Sequence, residues 1–138
     1  MCTYCYLQKN KEGLYPSEFN KKELILNNLH SILDYFVKEH IFIPRLDLFS
    51  GEIFGYPFGN QIFDIILEYQ EKGLEIGMIS LPTNASFCFS PDIIAIMESY
   101  IVKFANYSTN LSISVSYDGP VLDLESRPVL GKKIHKDE

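Results

Sequence analysis

The 138-residue sequence predicts an α/β fold in which parallel strands alternate with helices. Three observations predict it. Three segments repeat apolar residues at helical spacing, and three short runs rich in aliphatic and β-branched residues follow them. Gly, Pro, Asn and Asp mark the junctions between them. Strands joined through helices cross over right-handedly, which makes the sheet parallel.

The chain opens on Cys2-Thr3-Tyr4-Cys5 and continues through a polar loop from Gln8 to Ser17. Ile25, Leu29, Ile32, Leu33 and Phe36 then fall at helical spacing, which predicts a helix over about 20–40 with Asn20 as its cap. Arg45 to Phe49 reads as a short strand, with Ser50-Gly51-Glu52 as the turn after it. A second helix, about 60–72, buries Phe63, Ile66 and Leu67, and Gly73 stops it. Leu74 to Leu81 is the next strand, closed by the loop Pro82 to Ser86. Ser90-Pro91-Asp92 starts a third helix with a cap, a proline at its first position and an acid. Ile93, Ile94, Met97, Tyr100, Ile101 and Phe104 form its buried stripe, to about 105. In the last strand Leu111, Ile113, Val115 and Tyr117 alternate with Ser112, Ser114 and Ser116.

Length and composition bound the rest. The chain is one domain's worth, residues 1–138, with an ordinary apolar share of 46%. A net charge of −6 excludes a duplex nucleic-acid binder held by a basic stripe. No secretory signal opens the chain and no apolar run is long enough for a membrane span, so a soluble cytoplasmic protein is expected. Three cysteines, Cys2, Cys5 and Cys88, do not suggest a disulfide framework.

Parallel sheets bind ligands at the C-terminal ends of their strands. That rule singles out Ser50-Gly51-Glu52, Thr83-Asn84 and Tyr117-Asp118-Gly119. The first helix needs a strand before it for its own crossover. A further strand upstream is therefore expected, with Cys2 and Cys5 on the loop after it.

Each motif also has a plainer reading. Thiolates two residues apart can share one metal or cluster, and equally are ordinary thiols. The Gly-Glu turn exposes main chain and one carboxylate to a ligand, or is only a βα turn. Thr83 and Asn84 suit ribose hydroxyls, or make local turns. The serine face of the last strand suits the lumen of a partial barrel, or is an edge strand facing water.

Taken together, these segments resemble the radical S-adenosylmethionine (SAM) superfamily. Met1-Cys2-Thr3-Tyr4-Cys5 is similar to the second half of its three-cysteine motif. Phe49-Ser50-Gly51-Glu52 resembles Gly-Gly-Glu, and Ser80-Leu81-Pro82-Thr83-Asn84 resembles Thr-Asn-Gly. Ser116-Tyr117-Asp118-Gly119-Pro120, with Arg127 beyond, is similar to the motif of the peptide- and sulfatase-maturing branch. The departures are Ser50 for Gly, Ile53 for Pro, Ala85 for Gly, and one extra residue between Asp123 and Arg127. The family's first cysteine would lie four residues before Cys2, outside these 138 residues.

The resemblance implies a partial (βα) barrel, here an incomplete core domain truncated at both ends. It implies a 4Fe–4S cluster held by Cys2 and Cys5, and S-adenosylmethionine bound by Tyr4, Ser50, Gly51, Glu52, Asn84, Ser116 and Arg127. A flavodoxin- or ferredoxin-like reductant and a peptide or protein substrate are the implied partners. Without the third cysteine the fragment itself is expected to be inactive. A non-catalytic relic of such a domain and a Cys-x-x-Cys thiol oxidoreductase are the alternatives.

Overall fold

The computed structural model describes residues 22–48, 53–55 and 58–116. In chain order they form α1 (Lys22–Lys38), β1 (Ile43–Asp47), a 3-10 turn (Ile53–Gly55), α2 (Gly59–Glu71), β2 (Ile76–Thr83), a second 3-10 turn (Ser86–Phe89), α3 (Pro91–Ala105) and β3 (Asn110–Val115). The strands make one open sheet in the order β1-β2-β3, with both pairs parallel. The alternating parallel α/β architecture expected from the sequence is therefore present. Asn20, Phe49 and Tyr117 lie outside the described residues.

β2 departs from its expected bounds, for it runs on through Pro82 to Thr83. The sequence places Pro82 in the loop after the strand, and proline cannot donate to a ladder. The last β1 pair is Asp47↔Ser80, so Pro82 lies past that ladder, while pairing with β3 continues to Thr83↔Val115.

All three helices stop in the same way. In α2, Leu74 N–H donates to the Tyr69 carbonyl (2.9 Å) and Gly73 N–H to Gln70 (3.0 Å), with Gly73 at φ 100°. The ends of α1 and α3 repeat this pattern, from Ile41 to Phe36 and from Thr109 to Phe104. There the left-handed residues are His40 (φ 52°) and Ser108 (φ 58°), which carry a Cβ where glycine is cheaper. At the start of α3, Ser90 is extended as a cap should be, with Pro91 at the first helical position. The expected side-chain cap bond is not made.

The helices form one layer, with α2 between α1 and α3. Phe63 is fully buried, with the rings of Tyr100 at 4.9 Å and Phe104 at 5.9 Å. Helices on opposite faces of a sheet could not meet at that distance. Two matching clamps tie the layer. Tyr69 of α2 donates to Asp34 of α1 (2.7 Å), and Tyr100 of α3 donates to Asp64 of α2 (2.8 Å). Burial first, then the Asp34 carboxylate, pushes the Tyr69 phenol up to about 12. Tyr100 is raised for the same two reasons in the same order.

One face of the sheet meets this layer. Leu46 and Leu48 of the β1 segment, Ile79 and Leu81 of β2, and Leu111 and Ile113 of β3 all join the core. Ile79 and Leu81 are fully buried, each contributing about 1.5–3 kcal/mol. Two expected helix residues depart from this pattern. Ile32 and Ile101 were expected inside and are exposed, while Leu26 and Val37 pack in α1. Among the described residues α1 and α3 end the layer, so each has a helix on one side only and buries a narrower stripe.

Candidate functional site

The three strands run the same way, so their C-terminal ends share one edge of the sheet. The Ser116 N–H donates to the Thr83 carbonyl at 2.8 Å, which extends the ladder past β3 and sets Ser116 beside the Asn84 loop. Asn84 is exposed and Ser116 is half-buried. The loop is shaped locally. The buried Thr83 hydroxyl accepts from the Ala85 N–H (3.1 Å), and Ala85 is left-handed at φ 62°. Phe87, packed at 5.8 Å on Phe54, anchors the following 3-10 turn in the core. Cys88 on that turn is free and exposed.

Of the sequence-predicted site residues, Asn84 and Ser116 are thus brought together. Cys2, Tyr4, Cys5, Ser50, Gly51, Glu52 and Arg127 lie outside the described residues. The segment carrying Ser50, Gly51 and Glu52 follows β1.

The face of the sheet away from the helices carries a polar group beside the apolar Met78 and Pro82. The serine alternation read in the sequence holds from Leu111 to Ser114, with Ser80 of β2 paired to Ser112 and Ser114 exposed, whereas Val115, expected to face the same way as Leu111 and Ile113, is exposed. Sequence reasoning missed the other polar group there. Arg45 Nε donates to Asp47 Oδ1 (2.8 Å), and its Nη2 donates to the Ser80 hydroxyl (3.1 Å). The Arg45 hydrogen bond holds the Asp47 carboxyl below the usual range; slight desolvation opposes it and the Ser80 hydroxyl assists it. The missed signal was Arg45-Leu46-Asp47-Leu48, an alternation of charged and apolar residues that places both charges on one strand face.

Chemically, the edge offers an amide and a hydroxyl, neutral groups that both donate and accept. They suit sugar hydroxyls or a carboxylate. Among the described residues no cluster of His, Cys, Asp and Glu could hold a metal ion. Cys2 and Cys5, the cluster ligands that the resemblance implies, lie outside them. No helix among the described residues is long and apolar enough to cross a membrane. No protein-family model, curated protein or solved structure matches the chain.

Proposed function

We propose that this chain is part of a radical SAM core domain that binds S-adenosylmethionine and a 4Fe–4S cluster, acting on a peptide or protein substrate. The observation that carries the reading is the one-sided sheet. Parallel sheets are normally covered on both faces. Among the described residues this one has its helices on one face, and Arg45, Asp47, Ser80, Ser112 and Ser114 share the other with Met78 and Pro82. A partial barrel with a polar lumen has that cross-section, and Asn84 and Ser116 stand at its rim. Ala85 adds support: it occupies the glycine position of the family's Thr-Asn-Gly motif, and its backbone is left-handed, as glycine would permit.

In this reading the Asn84 amide and Ser116 hydroxyl hold the ribose or the methionine carboxylate. Gly51 and Glu52 receive the amino group, Tyr4 lies near the adenine, and Arg127 pairs with the carboxylate. Cys2 and Cys5 ligate the cluster with a third, upstream cysteine. The chemistry supplied by a bound cluster is one-electron cleavage of S-adenosylmethionine to methionine and a 5′-deoxyadenosyl radical. The chain's own residues orient the nucleoside and exclude water from the site.

The test is anaerobic reconstitution with iron and sulfide of a version carrying a cysteine four residues before Cys2, with dithionite as reductant. Charge-transfer absorbance and 5′-deoxyadenosine are expected, both lost in Cys2→Ala and Cys5→Ala. Absence of both signals would leave the relic. A reversible Cys2–Cys5 disulfide without iron would indicate thiol chemistry.

A further inference from the structure

We infer that Gly59, Phe54 and Phe87 are positioning residues for the Asn84 rim, coupling the turn after β1 to the loop after β2 so that the two strand ends hold one arrangement. None of the three offers a polar side chain to a ligand. Each acts through the backbone it fixes. The consequence for S-adenosylmethionine binding rests on the nucleoside reading, and the coupling itself does not.

The contacts start at α2. A Cβ on Gly59, the first residue of α2, would collide with the Ile53 carbonyl oxygen. The turn Ile53–Gly55 therefore sits against the helix start as closely as only glycine allows, and Ile53 is buried there. In sequence this turn follows Glu52 directly. Phe54 carries the link across to the next strand end. Its ring packs on Phe63 of α2 at 6.1 Å and on Phe87 at 5.8 Å, both within the range of ordinary ring pairs. Phe63 and Phe87 are both buried, so the packed interior fixes the two partners of Phe54. From Phe87 two hydrogen bonds lead back to the rim. The Cys88 N–H donates to the Ala85 carbonyl (3.0 Å), and the Ala85 N–H donates to the Thr83 hydroxyl (3.1 Å). Between these bonds Ala85 holds a left-handed backbone at φ 62°. A residue with a Cβ stays in that conformation only where its surroundings impose it. The anchored Phe87 turn supplies that constraint on one side of Ala85, and the end of β2 supplies it on the other.

Amide hydrogen exchange on the full 138-residue chain tests the coupling without any ligand. Phe54→Leu removes the shared ring from one strand end and is read at the other. Ala85 and Cys88 should exchange about tenfold faster, while Gly73 and Leu74 at the far end of α2 keep their rates. Phe54→Tyr keeps the ring and should restore slow exchange. Tyr69→Phe weakens the α1–α2 seam and should leave Ala85 and Cys88 as they are. Gly59→Ala should act as Phe54→Leu does, and Phe54→Leu decides alone if Gly59→Ala fails to fold. Native exchange at Ala85 and Cys88 in Phe54→Leu, or an equal rise at Gly73 and Leu74, overturns the inference. In the reconstituted, upstream-extended chain, Phe54→Leu should bind labelled S-adenosylmethionine about tenfold more weakly, and Phe54→Tyr as tightly as the native chain. Unchanged binding in Phe54→Leu overturns the positioning role. No binding by the native chain defeats the nucleoside reading instead, and the exchange rates then decide the coupling.

Discussion

The central unit and the two flanking units of this molecule are built from the same parts and end in different states. α2 has a helix on each side and β2 a strand on each side. Phe63, Ile66, Ile79 and Leu81 are four of the six largest fully buried side chains, and all four belong to that unit. Among the described residues α1 and α3 each have one helical neighbour, and each exposes part of the apolar stripe that its sequence promised. Burial in a layered α/β structure is therefore set by a unit's position as much as by its own amphipathic pattern. The two Tyr–Asp clamps show the same rule, since α2 takes part in both while α1 and α3 take part in one each.

This contrast can be broken most sharply in the core. Phe63→Ala removes a fully buried ring and should cost about 3–5 kcal/mol, read by urea denaturation. Ile32→Ala on the exposed side of α1 should stay within about 0.5 kcal/mol. Comparable losses at both sites would contradict the assigned difference between centre and flank.

The clamps come next. Tyr69→Phe leaves the Asp34 carboxylate without its phenol donor, and a loss of about 1–2 kcal/mol is expected. The pH dependence has a definite sign. The Tyr69 phenol lies above its ordinary value of 10.0, at about 12. Its contribution is therefore full below pH 10 and lost as pH rises through about 12. The phenylalanine variant should show a shallower alkaline loss of stability across that window in pH-resolved denaturation.

Smaller effects sharpen the comparison at the helix ends. His40→Gly and Ser108→Gly relieve left-handed strain and should each gain about 0.5–1 kcal/mol, whereas Gly73→Ala should lose about 1 kcal/mol. The smallest change is expected at Arg45. Its pair with Asp47 has side chains 56% and 46% exposed, so Arg45→Met should cost no more than about 1 kcal/mol in thermal unfolding.

What the sequence made legible follows the same division. The Phe63 stripe, the Gly73 stop and the Leu111-Ser112-Ile113-Ser114 alternation depend on local spacing, and each sits as expected. His40 and Ser108 were not legible as helix stops because their left-handed backbone is imposed by the following turn, against their own preference. Ile32 and Ile101 were misplaced because helical spacing identifies an apolar stripe but not how many neighbours cover it. The Arg45–Asp47–Ser80 group needed knowledge of register, since Ser80 lies 35 residues from Arg45 in sequence. Of the candidate site, Asn84 and Ser116 were legible through the rule that ligands gather at strand ends, and the ladder bond from Ser116 to Thr83 gives that rule its geometry.

The rim formed by Asn84 and Ser116 is where the functional account is most exposed to test. Equilibrium dialysis of the anaerobically reconstituted, upstream-extended chain against labelled S-adenosylmethionine measures it directly. Retained label that falls at least tenfold in Asn84→Ala and Ser116→Ala, about 1.4 kcal/mol or more, and survives in Arg45→Met is the predicted result. Equal retention by the native chain and both rim variants, or no retention by any of them, would contradict it.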